Sequence, residues 1–454
     1  MTSTIVILPS IIEESDEDLR STKGIEDGNG VNRKSDFEDH SSNKSNDYDE
    51  GYKNPGWFTV LSTFLVLFYT FGIIFSFGNF QKLYVEEVYR DQVNAFEIMF
   101  IGGLASALLV SSGLYIPLLT NRWGYKIIML LGTVVCPLGL ILSSMCTMVY
   151  QIFICQGVIF GIGAGLIFST TVVLPSPWFY RHRCLALGIS FSGAGFGPVL
   201  FGPVTSLWNL QIGYRQCLRV LGGIGFFILG MATLLVKIHP SLSSSSTVPV
   251  ISPSSFTSPI TKIELTPELL SSSSYTPSTL PIGFPLSSSS SPSSSTSIMT
   301  KPFFKKWNGW NPHYLLLLFY SLLVTFGYLY PYFALPTYAK DILYMNDTNG
   351  SLLISLMSLL NGISRIFMGF IGDRIGALNA LLICTFISGL SSSLIWQFSS
   401  NFGIYIIYCI VIGFFSGTFT SLLPIIVSDI INQEAYQKYV GICYAVSKIK
   451  YILL

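Results

Sequence analysis

Long runs of apolar residues alternate along this chain with short polar connections. About 20 apolar residues in a row suffice to cross the hydrocarbon core of a bilayer as a helix, which also satisfies its own backbone hydrogen bonds there. The pattern predicts ten such spans and an eleventh that begins at Tyr439. The ten lie at 57–79, 94–118, 126–148, 150–174, 183–207, 215–236, 312–338, 350–371, 376–398 and 402–427.

Two polar stretches interrupt this pattern. Residues 1–50 carry thirteen acidic against five basic side chains, and residues 237–310 are dominated by Ser, Pro and Thr. Neither stretch offers enough apolar surface to fold alone, so we expect an acidic disordered tail and a disordered linker. They separate an N-terminal bundle of six spans at 51–236 from a C-terminal bundle at 311–454.

Composition places the chain among multi-pass membrane proteins. Half of its 454 residues are hydrophobic, 11% are charged, and the mean hydropathy is +0.57. A soluble enzyme or a nucleic-acid-binding protein would not have this balance. The four histidines form no metal or acid/base cluster, and the eight cysteines are expected to be small packing residues. We therefore expect no enzyme activity, cofactor, metal or nucleic acid, and a lipid bilayer and a small-molecule substrate as partners.

The distribution of basic residues predicts the orientation. Arg122, Arg181, Arg183, Lys237 and Arg374 share one side of the membrane with the N-terminus and the linker. Because cytosolic loops are enriched in Lys and Arg, this side is expected to be cytosolic. The plasma membrane is the default location, with the vacuolar membrane as the alternative.

Two loops at corresponding places in the two halves share a motif. PLLTNRWGYK follows the second span and GFIGDRIG follows the eighth. Glycine permits a tight turn there, Asn or Asp can cap the next helix, and Arg can pair with a neighbouring bundle. We interpret them as a conformational gating motif, with ordinary basic loops as the alternative. The shared positions are Asn121, Arg122 and Gly124 in the first loop and Asp373, Arg374 and Gly376 in the second.

These loops resemble the signature of the major facilitator superfamily. With Pro117 and Asn121 in place of Gly and Asp, the first copy looks like the monocarboxylate porter family, in particular its fungal branch. WFYRHRCLALGISFSGAGFG resembles that family's block before helix five, and NGISRIFMGFIGDRIG its helix eight. The resemblance implies an all-α membrane protein with two six-helix bundles around a cavity that opens alternately to each side. Family members carry monocarboxylates, aromatic amino acids, thyroid hormones or riboflavin.

Arg365 is the main candidate for binding substrate. It lies inside the eighth span, where a charge is costly enough to indicate a function. Its guanidinium fork matches a carboxylate, and the resemblance implies an anion contact at this position. The alternative is that the side chain extends to the cytosolic surface or pairs with a neighbouring helix end.

Proton coupling is doubtful. Where proton-coupled animal relatives have an Asp one turn before this Arg and a Lys near the outer end of helix one, this chain has Asn361 and Asn79. Lys82 could replace that Lys by a shift in register, although Lys82, Glu86 and Glu87 fit a solvated loop better. A proton remains a possible co-substrate, and both Asn residues are candidate substrate contacts.

Helix breakers and small residues suggest further roles. We expect Gly327, Pro331 and Pro336 to interrupt the seventh span, with Tyr328 and Tyr332 either contacting substrate or belonging to an interfacial aromatic belt. Glycines in the fourth and fifth spans are expected to let neighbouring helices approach closely. These are Gly157, Gly161, Gly165, Gly193 and Gly197.

Together these features predict a secondary transporter that moves a small organic anion or a planar aromatic metabolite by alternating access. The alternative is a nontransporting sensor or a defective truncated protein. A twelve-helix fold is expected, but the chain stops at Leu454 inside the eleventh helix, and its ending SKIKYILL does not match the Gly/Pro-rich stretch expected there. We therefore expect about 11 of 12 helices and a truncated second bundle.

Overall fold

The computed structural model describes residues 54–89, 94–243, 311–344, 347–398, 401–431 and 433–447. The predicted disordered tail, nearly all of the linker and the end of the chain lie outside these residues. Every regular element in the described part is helical, which confirms the all-α prediction.

Nine helices precede the serine-rich segment. Their order follows the alternation of apolar spans and short connections predicted from the sequence. They are α1 (Gly56–Leu83), α2 (Ala95–Ser111), α3 (Ile116–Trp123), α4 (Tyr125–Ser143), α5 (Val149–Ile152), α6 (Phe160–Thr171), α7 (Arg183–Gln211), α8 (Tyr214–Leu235) and the single turn α9 (Pro240–Ser243).

Six further helices follow the serine-rich segment. The eleventh span begins at Gln433 rather than at Tyr439, because its polar first turn does not belong to an apolar run. The six are α10 (Pro312–Asp341), α11 (Asp347–Ile375), α12 (Ala377–Leu394), α13 (Phe402–Phe415), α14 (Phe419–Ile430) and α15 (Gln433–Ser447).

Length and composition allow nine helical stretches of the described part to cross a membrane. The apolar portion of α10 at Pro312–Thr325 is shorter. Successive spans run in opposite directions, so α1, α7 and α10 begin at the same end of the bundle, where α8 and α11 finish. We call this the linker end and the opposite one the far end.

Several spans depart from regular α-helix. α1 continues as a π-helical segment at Tyr84–Val88, and a second π segment, Phe153–Ile159, joins α5 to α6. The tenth span breaks at residues 416–418, between α13 and α14. The predicted interruption of the seventh span is wrong, since α10 is continuous through Gly327, Pro331 and Pro336. A proline inside a helix kinks it without necessarily ending it when surrounding helices support the backbone.

Helix α7 is the element on which the candidate site is built. Its far half packs on α1, where a methyl group at Gly197 would overlap with the carbonyl oxygen of Phe68. Its linker half packs on α11, where a methyl group at Gly188 would overlap with the carbonyl oxygen of Arg365. Glycine at these positions therefore brings the backbones of three helices into direct contact.

Candidate functional site

Arg365 lies inside the protein, at the contact between α11 and α7. Its side chain is 4% exposed. The Nε group donates a hydrogen bond to Asn361 Oδ1 at 3.0 Å, and Nη1 donates to the carbonyl oxygen of Phe191 at 2.9 Å. The Nη2 group makes no hydrogen bond to a described residue. It is therefore the one guanidinium nitrogen that has no partner in the described part of the chain.

The direction of this side chain argues against extension to the linker end. Arg365 precedes Asp373, near that end, by eight residues, which is about 12 Å along a helix. Its guanidinium binds Asn361, one turn further toward the far end. A side chain extending to the nearer surface would point the other way.

Arg365 has no acidic partner in the described residues. The described ion pairs of 4.0 Å or less are His182–Asp373 and Arg183–Asp429, both at the linker end. A buried charge that is compensated only by neutral acceptors keeps part of its desolvation cost. The site therefore favours an anion.

Asn361 positions Arg365 and faces the break in the tenth span. It is 2% exposed, its Oδ1 accepts from Arg365, and its Nδ2 is buried without a hydrogen-bond acceptor. A methyl group at Gly417, within the break, would overlap with this amide. The glycine is therefore required for α11 to approach the break.

One aromatic side chain of the C-terminal half lies within electrostatic range of the cation. Tyr444 of α15 is near enough to Arg365 for an electrostatic interaction, and its hydroxyl donates to the carbonyl oxygen of Thr420 at 2.6 Å. Its ring meets Phe168 of α6 edge-on, at a centroid distance of 5.9 Å. The Tyr444–Phe168 pair joins the two halves beside the site.

Asn79, another predicted substrate contact, lies away from Arg365. Asn79 donates to the carbonyl oxygen of Gly202 and to Thr205 Oγ1, both at 2.8 Å. Gly202 lies 11 residues along α7 from Phe191, whose carbonyl oxygen binds the Arg365 guanidinium, so the two contacts are about 16.5 Å apart along the helix.

Of the two tyrosines predicted in the seventh span, the structure describes the side chain of one. Tyr328 packs edge-on against Phe419 of α14 at 5.5 Å. The side chain of Tyr332 is outside the described part, although its backbone belongs to α10.

The second gating loop connects the two halves at the linker end. The carboxylate of Asp373 accepts from the backbone N–H groups of Cys184 at 2.8 Å and Leu185 at 3.0 Å, in the first turn of α7. The positive end of a helix dipole favours an anion at this place. Arg374 instead lies over the Phe370 ring, with its guanidinium carbon 4.5 Å from the ring centroid.

The first gating loop is built differently. Asn121 and Arg122 are exposed. The contact across the halves comes from their neighbours, since Thr120 Oγ1 and the Tyr125 hydroxyl both donate to Gln437 Oε1 at 3.3 Å. The sequence motif did not indicate Thr120 or Gln437.

Both loops nevertheless turn at their glycine. Gly124 has φ +81° and Gly376 has φ +92°, a region that disfavours other residues. This is the turn geometry expected from the spacing of the two motifs.

The predicted packing glycines lie at helix contacts. A methyl group added at Gly161 would lie 3.0 Å from the Cα of Ala105, which is in α2. One added at Gly165 would lie 2.8 Å from the Cβ of Ser112, which follows α2. Gly157 is looser, with its nearest neighbour, Leu104, at 3.4 Å. Gly193 and Gly197 pack on α1.

Other glycines bring the two halves together. Gly188 and Gly195 meet α11, and Gly113 meets Gly441 of α15 backbone to backbone. A glycine pattern predicts a close approach but does not indicate which helix approaches.

Comparison with known families identifies this architecture. The family model described as Major Facilitator Superfamily matches residues 56–453. The chain belongs to this superfamily. The expectation of the superfamily is thereby confirmed, whereas membership of the monocarboxylate porter family stays a prediction.

Fungal proteins resemble this major facilitator chain over most of its length. The MFS-type transporter pynF of Aspergillus niger is 25% identical over 81% of this chain and 72% of the relative. The Fujikurins efflux protein of Gibberella fujikuroi is 26% identical, over 87% and 74%. The aspyridones efflux protein apdF of Emericella nidulans is 24% identical, over 87% and 69%. These relatives support membrane transport as the function.

A solved structure has the same fold. The crystal structure of the E. coli fucose:proton symporter FucP aligns with a TM-score of 0.55 and 14% identity, covering 86% of this chain and 88% of the symporter. This likeness confirms the major facilitator fold. The protein is an integral, multi-pass membrane protein.

Proposed function

We propose that this protein is a secondary transporter that carries an organic anion, either a small monocarboxylate or a planar aromatic metabolite, by alternating access. The observation that carries the proposal is the guanidinium of Arg365. It is buried, it has two neutral acceptors, and it has no carboxylate partner among the described residues. A carboxylate of the cargo would supply the missing counter-charge and an acceptor for Nη2.

The surroundings of Arg365 favour a cargo with a flat apolar body. The Tyr444 ring, which lies within electrostatic range of Arg365, meets the Phe168 ring of the other half edge-on. Aromatic rings pack well against planar groups and add a modest geometric preference. A cargo held between Arg365 and these rings would touch both halves, which is what coupling of binding to their relative movement requires.

The contacts between the halves support alternating access. The linker half of α7 contacts α11 through Asp373, Gly188 and Gly195. In the far half of α7, a Cβ atom added at Gly202 would have no atom within 4 Å. We take this arrangement as a state that is closed at the linker end. The positive-inside rule makes this end cytosolic.

The names of the relatives suggest the direction of transport. Two of them are named as efflux proteins, one for fujikurins and one for aspyridones. We take export of an anionic metabolite, across the plasma membrane or into the vacuole, as the direction. Asn361 occupies the position at which a proton-relaying Asp is expected, which supports transport without strict proton coupling. Uptake that rises steeply with falling external pH would contradict transport without proton coupling.

The test is substrate counterflow with the full-length chain in proteoliposomes, after a panel of aromatic and aliphatic monocarboxylates has been ranked by thermal stabilisation. Arg365→Ala should abolish counterflow of the best ligand, and Arg365→Lys should retain only part of it, because Lys keeps the charge without the fork. Arg215→Ala is the matched control. Arg215 is exposed at the far end of the bundle, where its Nε donates a hydrogen bond to the Tyr214 hydroxyl. Normal counterflow in Arg365→Ala would refute the assignment, and absence of counterflow with every anion would favour a nontransporting protein.

A further inference from the structure

Two cysteines lie side by side near the far end of the N-terminal half. Cys146 lies in the connection between α4 and α5, and Cys155 lies in the π segment Phe153–Ile159. Their Sγ atoms are 3.7 Å apart, and Cys146 Sγ also contacts the carbonyl oxygen of Leu142 at 3.4 Å. Disulfide sulfurs are about 2.05 Å apart, so the two need to approach by roughly 1.7 Å, which small side-chain rotations can supply.

The thiol pair lies at a junction of three spans. Gln156, the residue after Cys155, accepts hydrogen bonds through Oε1 from the Tyr84 hydroxyl at 3.2 Å and from Ser143 Oγ at 3.5 Å. Tyr84 begins the π extension of α1, and Ser143 ends α4. Both π segments therefore meet beside the two sulfurs. Because π-helical segments are rare and less regular than α-helix, a covalent link there would restrain a weak point of the bundle.

We propose that Cys146 and Cys155 form a disulfide when the far end faces an oxidising compartment, and that this bridge fixes the junction of the first, third and fourth spans. The charge distribution places the linker end in the cytosol and hence the far end outside it. Disulfides persist on that side of a membrane and are rare on the cytosolic side. The inference rests on the 3.7 Å contact and not on the identity of the cargo.

A small-molecule disulfide such as oxidised glutathione can act as the oxidant. The Cys155 thiolate attacks one of its sulfurs, which forms a mixed disulfide and releases one glutathione thiolate. The Cys146 thiolate then attacks the Cys155 sulfur, which closes the internal bridge and releases the second. Two protein thiols are oxidised, one small disulfide is reduced, and the two protons pass to the glutathione thiolates.

The order of these steps follows from burial. Cys155 is partly accessible, whereas Cys146 is 6% exposed. Burial, together with the neighbouring Cys155, raises the pKa of Cys146 to about 12. Cys155 therefore reacts first and Cys146 resolves the mixed disulfide.

The test counts thiols in the purified full-length chain. The protein is incubated with oxidised glutathione, quenched with acid, denatured and labelled with maleimide. We expect six maleimide adducts on the eight cysteines, and eight after prior treatment with reductant. Proteolysis should release a peptide pair that joins Cys146 to Cys155 and is lighter by two hydrogens than the separate peptides.

Single substitutions make the result specific. After treatment with reductant, the Cys146→Ser and Cys155→Ser variants should each carry seven maleimide adducts. Neither variant should form an internal bridge in oxidised glutathione. Cys136→Ser is the matched control, since it removes a buried α4 cysteine and should still lose two adducts on oxidation. Eight adducts on the oxidised wild type would overturn the proposal. So would a glutathione adduct that persists on Cys155, or a bridge that survives in Cys146→Ser.

Discussion

Replacing Asp373 by alanine should open the linker end of this protein. In the structure its carboxylate accepts two backbone N–H groups of α7, from Cys184 at 2.8 Å and from Leu185 at 3.0 Å. These bonds cross the two halves and break when the halves separate at this end. Alanine removes both acceptors and the charge at the positive end of the α7 dipole.

The size of the effect follows from these contacts. A hydrogen bond to a charged group contributes about 1.5–3 kcal/mol, and a charge near a helix end adds a few tenths or more. Water solvates Asp373 in the open state and replaces part of this stabilisation, so we take about 2 kcal/mol as the net stabilisation of the closed state by the whole contact. Its loss would shift the equilibrium about 30-fold toward the open state. Asp373→Asn keeps one oxygen acceptor and should give a smaller shift.

Cys184 is a native reporter of this opening. It is 5% exposed and packs between Gly369 and Gly372 of α11, so it becomes accessible only when α7 and α11 separate. Its rate of modification by N-ethylmaleimide, measured by mass spectrometry, should rise about 30-fold in Asp373→Ala, by the equilibrium shift above. The internal control is Cys136, which is buried within the N-terminal half and should not change.

A second variant tests whether any acidic residue at the linker end has the same effect. Asp429 lies 3.8 Å from Arg183 but its side chain is 61% exposed, so Asp429→Asn should change the Cys184 rate less than about threefold. An unchanged Cys184 rate in Asp373→Ala would refute the reasoning. An equal rise at Cys136 would indicate unfolding instead of opening, and would refute it as well.

Three further variants test the packing and the site. Gly197→Ala, which places a methyl group on the Phe68 carbonyl, should lower the unfolding temperature, whereas Gly202→Ala in the same helix meets nothing within 4 Å and should leave it equal or higher. Asn79→Ala removes two hydrogen bonds to α7 and should cost about 1–2 kcal/mol of stability in chemical denaturation without changing cargo affinity. Phe168→Leu removes the ring beside Tyr444, so counterflow of an aromatic anion should fall about fivefold relative to an aliphatic one.

The sequence alone predicted the local features of this fold. Apolar runs of sufficient length must be helical in a bilayer, and the ten predicted spans are all helical in the structure. Gly124 and Gly376 were expected to make tight turns, and both have positive φ. These features depend on residues that are neighbours along the chain, which is why a pattern of residue types reveals them.

Helix continuity was less predictable. Gly327, Pro331 and Pro336 suggested a break in the seventh span, yet α10 runs through them. The break occurs in the tenth span, where Gly417 meets Asn361. Whether a proline or glycine ends a membrane helix depends on what packs against it, and that neighbour lies far away in sequence.

The contacts that make up the candidate site were decided by the tertiary structure. The sequence indicated that Arg365 is a costly charge in a membrane helix, but not that its guanidinium binds the α7 backbone at Phe191, 174 residues earlier. The sequence grouped Asn79 with it, whereas the α7 carbonyl groups that the two side chains bind, those of Gly202 and Phe191, are about 16.5 Å apart along the helix. Side-chain chemistry and helical periodicity act over a few residues, whereas the helix that each face meets is settled only when all helices compete for the same interior.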